Sequence, residues 1–461
     1  MKHWIAWNIF FRAQEWVKGH STFKFLAEME AVDLLSASEL EAYRVDKLRE
    51  LLAYCYAHVP YVRARMEEAG VVPEGIRRLE DLRRLPLMTK TDIRRHRKSL
   101  RSEIARDLTP FTTGGSTGEP LIFDLAKRRI AARVASRQRV ARWWGVTIGD
   151  REFALWGSPI ELNNQQWIRD FRDRLLATTL FSAFEMNEAT MSRYLDILES
   201  GAFRQLFAYP SAIYLLCLQA RKQGRNLRRA GIKVVFVTGE VLFPYQRKVI
   251  SETLNCPVAD GYGGRDSGCI AHECPQGGLH ELADGIILEL LDPQGRPVAP
   301  GEPGEVVATD LFSHEAPFLR YATGDVAIAS ARQCPCGRAL PLLERVEGRS
   351  NDSVVAPDGR IINSLALIYP VREVEGIEQF RIRQQKPDRF HVQLVRNERY
   401  PREGEERIRR GWTQLLRTPV EVAFEYMSAL PAERSGKFRH FISELPDAQA
   451  VSCNTQESSK G

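Results

Sequence analysis

The stretch Asp260-Gly261-Tyr262-Gly263-Gly264-Arg265-Asp266 lies at the centre of the pattern that decides the fold. It sets one aromatic residue among three glycines, with an acid at each end. The aromatic ring can stack on a nucleotide base, and the second acid can hold Mg²⁺, which prefers carboxylate and phosphate oxygens. A glycine-rich turn after a strand is the simpler interpretation of this stretch alone, so its function depends on what surrounds it.

Two further turns flank this stretch in the sequence. Val237-Thr238-Gly239-Glu240 ends a short apolar run, and Arg320-Tyr321-Ala322-Thr323-Gly324-Asp325 places a carboxylate at a tight turn. A carboxylate in that position is suited to accept hydrogen bonds from two ribose hydroxyls, as an acid does in dinucleotide sites. Each turn is individually compatible with an ordinary loop.

The outermost motifs are a glycine-rich loop and two glycine-containing turns. Thr112-Thr113-Gly114-Gly115-Ser116-Thr117-Gly118 can bring hydroxyls and N–H groups to phosphate oxygens. It lacks the Gly-Lys-Ser/Thr ending of a P-loop, which disfavours a P-loop kinase. Glu347-Gly348-Arg349-Ser350-Asn351-Asp352 lies at a presumed domain boundary. Arg434-Ser435-Gly436-Lys437 places a lysine where it can bring positive charge to a phosphate.

The order of apolar patterns predicts an α/β fold with a large multi-sheet N-terminal domain and a small mobile α+β C-terminal domain. Helical spacing covers much of residues 38–107, and strand-like runs occur at 234–237, 286–291 and 305–309. We expect three segments: a large ATP- and acid-binding domain at 1–348, a small lid domain at 349–445, and a disordered polar tail at 446–461.

Composition bounds the partners and the compartment. The chain has 461 residues, 44% hydrophobic and 27% charged, as in ordinary globular proteins. A net charge of +6 is spread along the chain and gives no reason to expect nucleic acid as a partner. The eight cysteines form no disulfide framework, so we expect a reducing cytoplasm. The oligomeric state is open.

The sequence contains no run of about 18 apolar residues, so we expect no transmembrane segment. Residues 1–20 nevertheless carry several large apolar side chains, among them Trp4, Trp7, Phe10 and Phe11. Either they form a helix packed on the main domain, or they form a peripheral helix that lies at a membrane surface.

The ordered set of motifs resembles the adenylate-forming (AMP-binding) superfamily. The match is to the phenylacetate–CoA ligase-like branch, including relatives associated with capsular-polysaccharide genes. Further marks of the resemblance are Leu85-Pro86-Leu87-Met88-Thr89-Lys90, Tyr209-Pro210-Ser211 and Cys334-Pro335-Cys336-Gly337-Arg338. The resemblance extends from about Tyr56 to Phe441. Single motifs of this set are unspecific, whereas six of them in order are specific.

The resemblance implies a role for each motif. The catalytic residues would be Lys437, which swings in during adenylation, and Asp266, which contacts Mg²⁺. Adenine would lie beside Gly261, Tyr262 and Gly263, ribose hydroxyls beside Asp325, and ribose or phosphate beside Arg349. The remaining contacts to ATP would come from Thr113, Gly114, Gly115, Ser116, Thr117, Gly118 and Glu240. The residues expected to line the acid pocket are Trp156, Tyr209, Ser211 and Ala212.

Cys274-x₅-His280 and Cys334-x-Cys336 offer three thiols and one imidazole, the ligands of a closed structural Zn²⁺ site. Similar positions in zinc-containing relatives imply the same. His272 is a rival for His280, and Cys269 for one of the thiols. Buried free cysteines are the alternative to a metal site.

The resemblance implies an acid–thiol ligase that uses ATP and passes through an acyl-adenylate. Coenzyme A is the expected acceptor, and a carrier-protein thiol, or a hydroxyl or amine acceptor, is the neighbouring alternative. The family usually has Glu at Asp266, an acid at Asn351, and in many members Lys at Glu119. The first two departures keep open a non-catalytic nucleotide-binding scaffold in polysaccharide assembly. The identity of the carboxylic acid is not readable from the sequence.

Overall fold

The structure, a computed structural model, describes residues 6–112, 121–156, 177–183, 186–349, 353–430 and 439–445. It divides into two compact units, one that extends to Gly348 and one that starts at Arg349. Each unit has a core of its own and is described by itself. The predicted tail at 446–461 lies outside the described residues.

The helices of the first unit lie mostly in its first half and between its parallel strands. They are a π-helix (Ala6–Phe11), α1 (Arg12–Lys18), α2 (Thr22–Val32), α3 (Ala37–His58), α4 (Pro60–Glu68), α5 (Lys90–His96), α6 (Lys127–Trp143), α7 (Glu188–Ser200), α8 (Pro210–Lys222) and α9 (Pro244–Leu254). Short 3₁₀ turns span Pro73–Gly75, Leu79–Arg84 and Leu227–Arg229.

The strands of the first unit are β1 (Thr109–Thr112), β2 (Ile122–Leu125), β3 (Glu152–Trp156), β4 (Thr178–Ser182), β5 (Gln205–Ala208), β6 (Val234–Thr238), β7 (Val258–Gly264), β8 (Gly268–Glu273), β9 (Leu279–Glu281), β10 (Ile286–Leu291), β11 (Pro303–Asp310), β12 (Tyr321–Ser330) and β13 (Leu342–Arg349). β1 and β2 pair with each other. The other described strands form an eleven-stranded sheet in the order β10-β11-β12-β13-β9-β8-β7-β6-β5-β3-β4.

Within this sheet, β4, β3, β5, β6 and β7 are parallel neighbours. Parallel strands are covered by helices on both faces, so they read as continuous apolar runs. β6 follows this rule, since all four residues from Val234 to Val237 are buried. Helices α7, α8 and α9 supply much of the core beside it, with Leu195, Ile213 and Ile250 fully buried.

Helix α3 begins at a capping box, in which the Ser36 and Glu39 side chains each bond the other residue's backbone N–H. Its buried face carries Leu48, Leu51 and Leu52, the residues whose spacing predicts a helix. The predicted mixed α/β architecture is confirmed.

The second unit contains β14 (Ser353–Val355), β15 (Ile361–Asn363), α10 (Leu365–Arg372), β16 (Ile377–Lys386), β17 (Arg389–Arg396), α11 (Gly404–Leu416), β18 (Glu421–Tyr426) and β19 (Phe441–Ser443). Its four-stranded sheet has the order β18-β17-β16-β19. Trp412 is fully buried, donates from its indole N–H to the Leu367 carbonyl at 2.8 Å, and meets Phe390 edge to face. Leu416 is buried with it, whereas Leu415 is exposed.

Candidate functional site

Several of the predicted motifs meet at one edge of the large sheet. Trp156 ends β3, Tyr209 follows β5, Gly239 follows β6, and Gly261 to Gly264 end β7. Because these four strands are parallel neighbours, their carboxyl ends lie side by side. Open α/β sheets bind ligands outside the carboxyl ends of their strands, so this edge is the candidate site.

Two aromatic rings stack on each other at this edge of the sheet. The rings of Trp156 and Tyr209 lie 4.0 Å apart at 21°. Gly239 has φ +86°, and a Cβ there would approach Cε1 of Tyr209 to 3.1 Å. Glycine therefore satisfies both the backbone conformation and the close packing of the tyrosine ring.

Glu240, the last residue of the T-G-E turn, bonds to the start of α8. Its carboxylate accepts from the backbone N–H and from the hydroxyl of Ser211, both at 3.0 Å. A negative charge is favourable at a helix N-terminus. Ala212, predicted to line the acid pocket, is 3% exposed and lies in the core, as does Tyr209.

The central motif and the Y-x-T-G-D turn come together through a hydrogen bond. Tyr262 donates from Oη to Oδ2 of Asp325 at 2.8 Å, although β7 and β12 are not neighbours in the sheet. Burial, and then the Asp325 carboxylate, raises the pKa of Tyr262 well above its usual value. The phenol therefore stays protonated and holds the carboxylate predicted to bind ribose. Gly324, with φ +79°, lies within β12 where the pairing register with β11 shifts, so the predicted tight turn is an irregularity inside a strand.

Asp266 is held by two donors. Tyr321 donates from Oη to its Oδ2 at 2.7 Å, and the Ser267 backbone N–H donates to its Oδ1 at 3.1 Å. The Y-x-T-G-D motif therefore contributes its tyrosine to one acid and its aspartate to a contact with Tyr262. Each acid is therefore held by the tyrosine of the other motif: Asp266 by Tyr321, and Asp325 by Tyr262.

Two arginines of α6, which the sequence interpretation missed, donate hydrogen bonds to the backbone of Gly264 to Asp266, the turn between β7 and β8. We call this segment the central turn. Arg129 pairs with Asp310 at 2.6 Å and also donates to the Asp266 carbonyl. Arg133, one helical turn later, donates to the carbonyls of Arg265 at 3.0 Å and Gly264 at 3.4 Å. Their i, i+4 spacing is the available sequence signal, in a helix that carries four other arginines.

The L-P-L-M-T-K segment lies beside β12, where Met88 forms an isolated bridge with Tyr321. The Met88 N–H donates to the Arg320 carbonyl, and the Ala322 N–H donates to the Met88 carbonyl, both at 2.9 Å. Arg320 forms a two-pronged ion pair with Glu289 at 2.9 Å and donates to the Leu85 carbonyl at 2.6 Å. This network fixes the start of the Y-x-T-G-D turn.

The four predicted metal ligands come together in the same unit. The donor atoms of Cys274, His280, Cys334 and Cys336 all lie within 4.8 Å of one another. The Cys274 and Cys334 sulfurs are 3.5 Å apart, and the Cys336 sulfur is 3.2 Å from Nε2 of His280. Ligands of one tetrahedral zinc ion would be spaced roughly 3.5–3.8 Å apart, so the cluster is close to the required size.

The surroundings also suit a metal. Nδ1 of His280 lies 3.2 Å from the Leu340 carbonyl, which can only accept, so Nδ1 carries the proton and Nε2 faces the cluster with its lone pair. Burial lowers the pKa of His280, which keeps it neutral. A Cβ at Gly278 would approach the Cys334 sulfur to 2.7 Å, so only glycine leaves room there.

The rival ligands lie elsewhere. The His272 ring packs against Gly261, with Nδ1 3.1 Å from the Glu273 carbonyl. Cys269 lies on β8 opposite Gly263, in the central motif.

Some predicted residues cannot be placed. Thr113, Gly114, Gly115, Ser116, Thr117, Gly118 and Lys437 lie outside the described residues, as do Glu119 and Asn351. Arg349 ends β13, and only its backbone is described. Thr112, just before the glycine-rich loop, accepts a hydrogen bond from Arg265 at 3.3 Å, which ties that loop's start to the central turn.

Known proteins give an independent comparison. A family model described as the CapK C-terminal domain matches residues 354–444. The chain is 27% identical over 358 residues to a phenylacetate-coenzyme A ligase of Thermus thermophilus, covering 75% of this chain and 76% of that protein. It is 22% identical over 371 residues to Protein CapK of Staphylococcus aureus, covering 79% of this chain and 81% of that protein.

Among solved structures, a 2-hydroxyisobutyryl-CoA ligase in the postadenylation state matches with a TM-score of 0.74 at 22% identity. The match covers 92% of this chain and 93% of that chain. The fold is therefore that of the adenylate-forming CoA ligases. Together with the sequence relatives, this confirms the predicted resemblance to the phenylacetate–CoA ligase-like branch of the adenylate-forming superfamily, with CapK among the matched relatives.

Proposed function

We propose that this protein activates a carboxylic acid with ATP and transfers the acyl group to coenzyme A. In the first step, an oxygen of the substrate carboxylate attacks the α-phosphorus of ATP, and pyrophosphate leaves. In the second, the thiol sulfur of coenzyme A, having lost its proton, attacks the carbonyl carbon, and AMP leaves. A carboxylate is a poor electrophile, and conversion to the adenylate supplies a good leaving group.

The observation that carries this proposal is the Tyr262–Asp325 hydrogen bond beside Asp266 at the carboxyl edge of the sheet. It fixes an aromatic ring and a carboxylate in the order required for adenine and ribose. We assign Tyr262 to adenine and Asp325 to the ribose hydroxyls. Preorganised contacts of this kind hold the two reactants in line, which supplies much of the rate enhancement.

Asp266 fits a role in Mg²⁺ binding. Each carboxylate oxygen has two lone pairs, and the bonds from Tyr321 and Ser267 use one on each oxygen. A bound Mg²⁺ would neutralise phosphate charge. The charge of Lys437 would stabilise the same transition state from the lid, by the resemblance of its motif.

The Cys/His cluster fits a structural Zn²⁺ held by Cys274, His280, Cys334 and Cys336. All four ligands would be protein atoms, so such a site has no open position for catalysis. We assign the ion to joining the β8–β9 turn to the segment before β13.

The resemblance to relatives associated with capsular-polysaccharide genes gives a second candidate for the acceptor. In this alternative the adenylate passes its acyl group to a carrier-protein thiol, or to a hydroxyl or amine in polysaccharide assembly. The adenylation step is the same in both cases.

ATP–pyrophosphate exchange with aryl, fatty and hydroxy acids tests the adenylation step. We expect exchange that depends on one class of acid and falls by about a thousandfold in Lys437→Ala, since the lysine acts mainly in the transition state. Lys386→Ala, an exposed lysine at the end of β16, is the matched control. ATP binding without exchange for any acid would contradict the proposal and favour the scaffold alternative. Mass spectrometry after addition of coenzyme A then identifies the acceptor.

A further inference from the structure

Large apolar side chains are exposed together in the first helical segment. Trp16 is 84% exposed, Val17 76%, Ile9 50% and Phe10 40%. These four are among eleven exposed large hydrophobic residues in the described part of the chain, and they lie within nine consecutive positions. Ile9 and Trp16, like Phe10 and Val17, are seven residues apart, so they form one stripe along the helical segment.

The opposite side of this segment is packed. Phe11 is 3% exposed and meets Phe23 edge to face, with ring centroids 5.5 Å apart. Glu15, four residues later, is also 3% exposed and accepts the backbone N–H of His20 at its carbonyl. The segment is therefore anchored to the protein through one face, and the apolar stripe is presented on the other.

The exposed charges along this part of the chain are of one sign. Arg12, Lys18 and Lys24 are exposed. Glu15 is the only acid between residues 6 and 27, and it is buried with its Oε1 3.3 Å from Nδ1 of His20. An exposed apolar stripe with tryptophan, flanked by cations without exposed acids, is the composition of helices that lie in the interface of anionic bilayers.

No described helix combines the length and apolar character needed to cross a bilayer. We propose that the segment Ile9–Lys18 docks the protein on the surface of an anionic lipid membrane. Ile9, Phe10, Trp16 and Val17 enter the headgroup boundary, and Arg12 and Lys18 contact lipid phosphates. This inference is independent of the ligase reaction, because it uses no residue of the candidate site.

Vesicle co-sedimentation with the full-length chain tests the proposal. The vesicles contain either phosphatidylcholine alone or equal parts phosphatidylcholine and phosphatidylglycerol. We expect binding to the anionic vesicles, weaker binding to the neutral ones, and a decrease at high salt, because phosphate contacts by exposed cations are screened.

The decisive variant is Trp16→Ser with Val17→Ser. It should weaken partitioning by about tenfold or more, because each large apolar side chain moved out of water contributes roughly that factor. Val72→Ser with Ile104→Ser is the matched control, since both residues are about half exposed outside the stripe, and it should bind like the wild type. Equal melting temperatures would show that both variants fold.

Three results would overturn the proposal. The wild type could fail to bind anionic vesicles, or the Trp16/Val17 variant could bind as well as the wild type. Alternatively, sedimentation velocity could show a self-association that the same variant abolishes, in a protein that does not bind vesicles. The stripe would then be an interface between two copies of the chain.

Discussion

The cluster formed by Asp266, Asp325 and their two tyrosines lies in the same unit as the Cys/His cluster, but the two are held in different ways. At the first, the fold's own hydrogen bonds fix the groups: Tyr262 holds Asp325, and Tyr321 holds Asp266. At the second, the nearest polar neighbours of the sulfurs include the other ligand atoms, 3.2 to 3.5 Å away. The first cluster is organised by contacts of the fold itself, whereas the second has the donor set and spacing that a bound cation would hold together.

Protonation reinforces this difference. Burial raises the pKa of Cys274 to about 12, so its thiol is neutral at pH 7 in the absence of a metal. A bound metal ion would displace that proton. The negative charge of the resulting thiolate and the positive charge of the ion would then balance each other in the buried site. Asp266 and Asp325 already accept hydrogen bonds from the two tyrosines, so they need no change of protonation state.

Among the residues that the structure describes, the largest effect should come from removing an acid of the preorganised site. Asp325→Ala should lower kcat/KM for ATP by about a hundredfold, because hydrogen bonds to a charged group contribute about 1.5 kcal/mol each and two ribose hydroxyls would lose them. Initial rates of pyrophosphate exchange measure this. Glu344→Ala, an exposed acid on β13, is the control and should behave like the wild type. An unchanged KM for ATP in Asp325→Ala would separate Asp325 from the nucleotide.

A loss of stability, rather than of nucleotide binding, should follow from breaking the Cys/His cluster. Cys336→Ser should release bound zinc and lower the melting temperature by roughly 4 °C, since a lost structural ligand costs on the order of 3 kcal/mol in a unit of this size. Cys269→Ser is the matched control because both thiols are half-buried. Metal analysis and calorimetry give the result.

The histidines provide a second arm of that experiment. His280→Gln should lose zinc, whereas His272→Gln should retain it. Zinc retained in His280→Gln, or lost in Cys269→Ser, would contradict the assignment of the ligands.

A smaller effect should come from the arginines behind the central turn. Arg133→Gln removes donors to two carbonyls of the turn, so KM for ATP should rise about tenfold while kcat changes little. Arg142→Gln, on the same helix but paired with Glu30, should leave KM unchanged. A fall in melting temperature without any change in KM would make Arg133 a purely structural residue.

The sequence predicts the family and fold because its motifs follow apolar strands, and parallel strands bring their carboxyl ends together. It also predicts that the cysteine and histidine set forms a metal site, because Cys-x-Cys in a turn is an unusual way to pack a core. It does not separate His280 from His272, because spacing alone does not say which ring faces the other cysteines. That choice depends on the packing of the His272 ring against Gly261.

Other parts could not be predicted for a physical reason. Arg129 and Arg133 act on residues more than 130 positions away, and no local pattern indicates those partners. The pairing of Met88 with the strand at Tyr321 is similarly remote. The roles of Lys437 and of the loop from Thr113 to Gly118 stay predictions.

The core around Trp412 has a consequence for how this chain changes over evolutionary time. The second unit has its own sheet and a fully buried tryptophan bonded to Leu367. The CapK C-terminal family model spans 354–444, nearly that unit alone. Such a block can be inherited or exchanged by recombination without repacking another core. Gly348, with φ +96°, marks the junction, and any other residue there would strain the backbone at the seam.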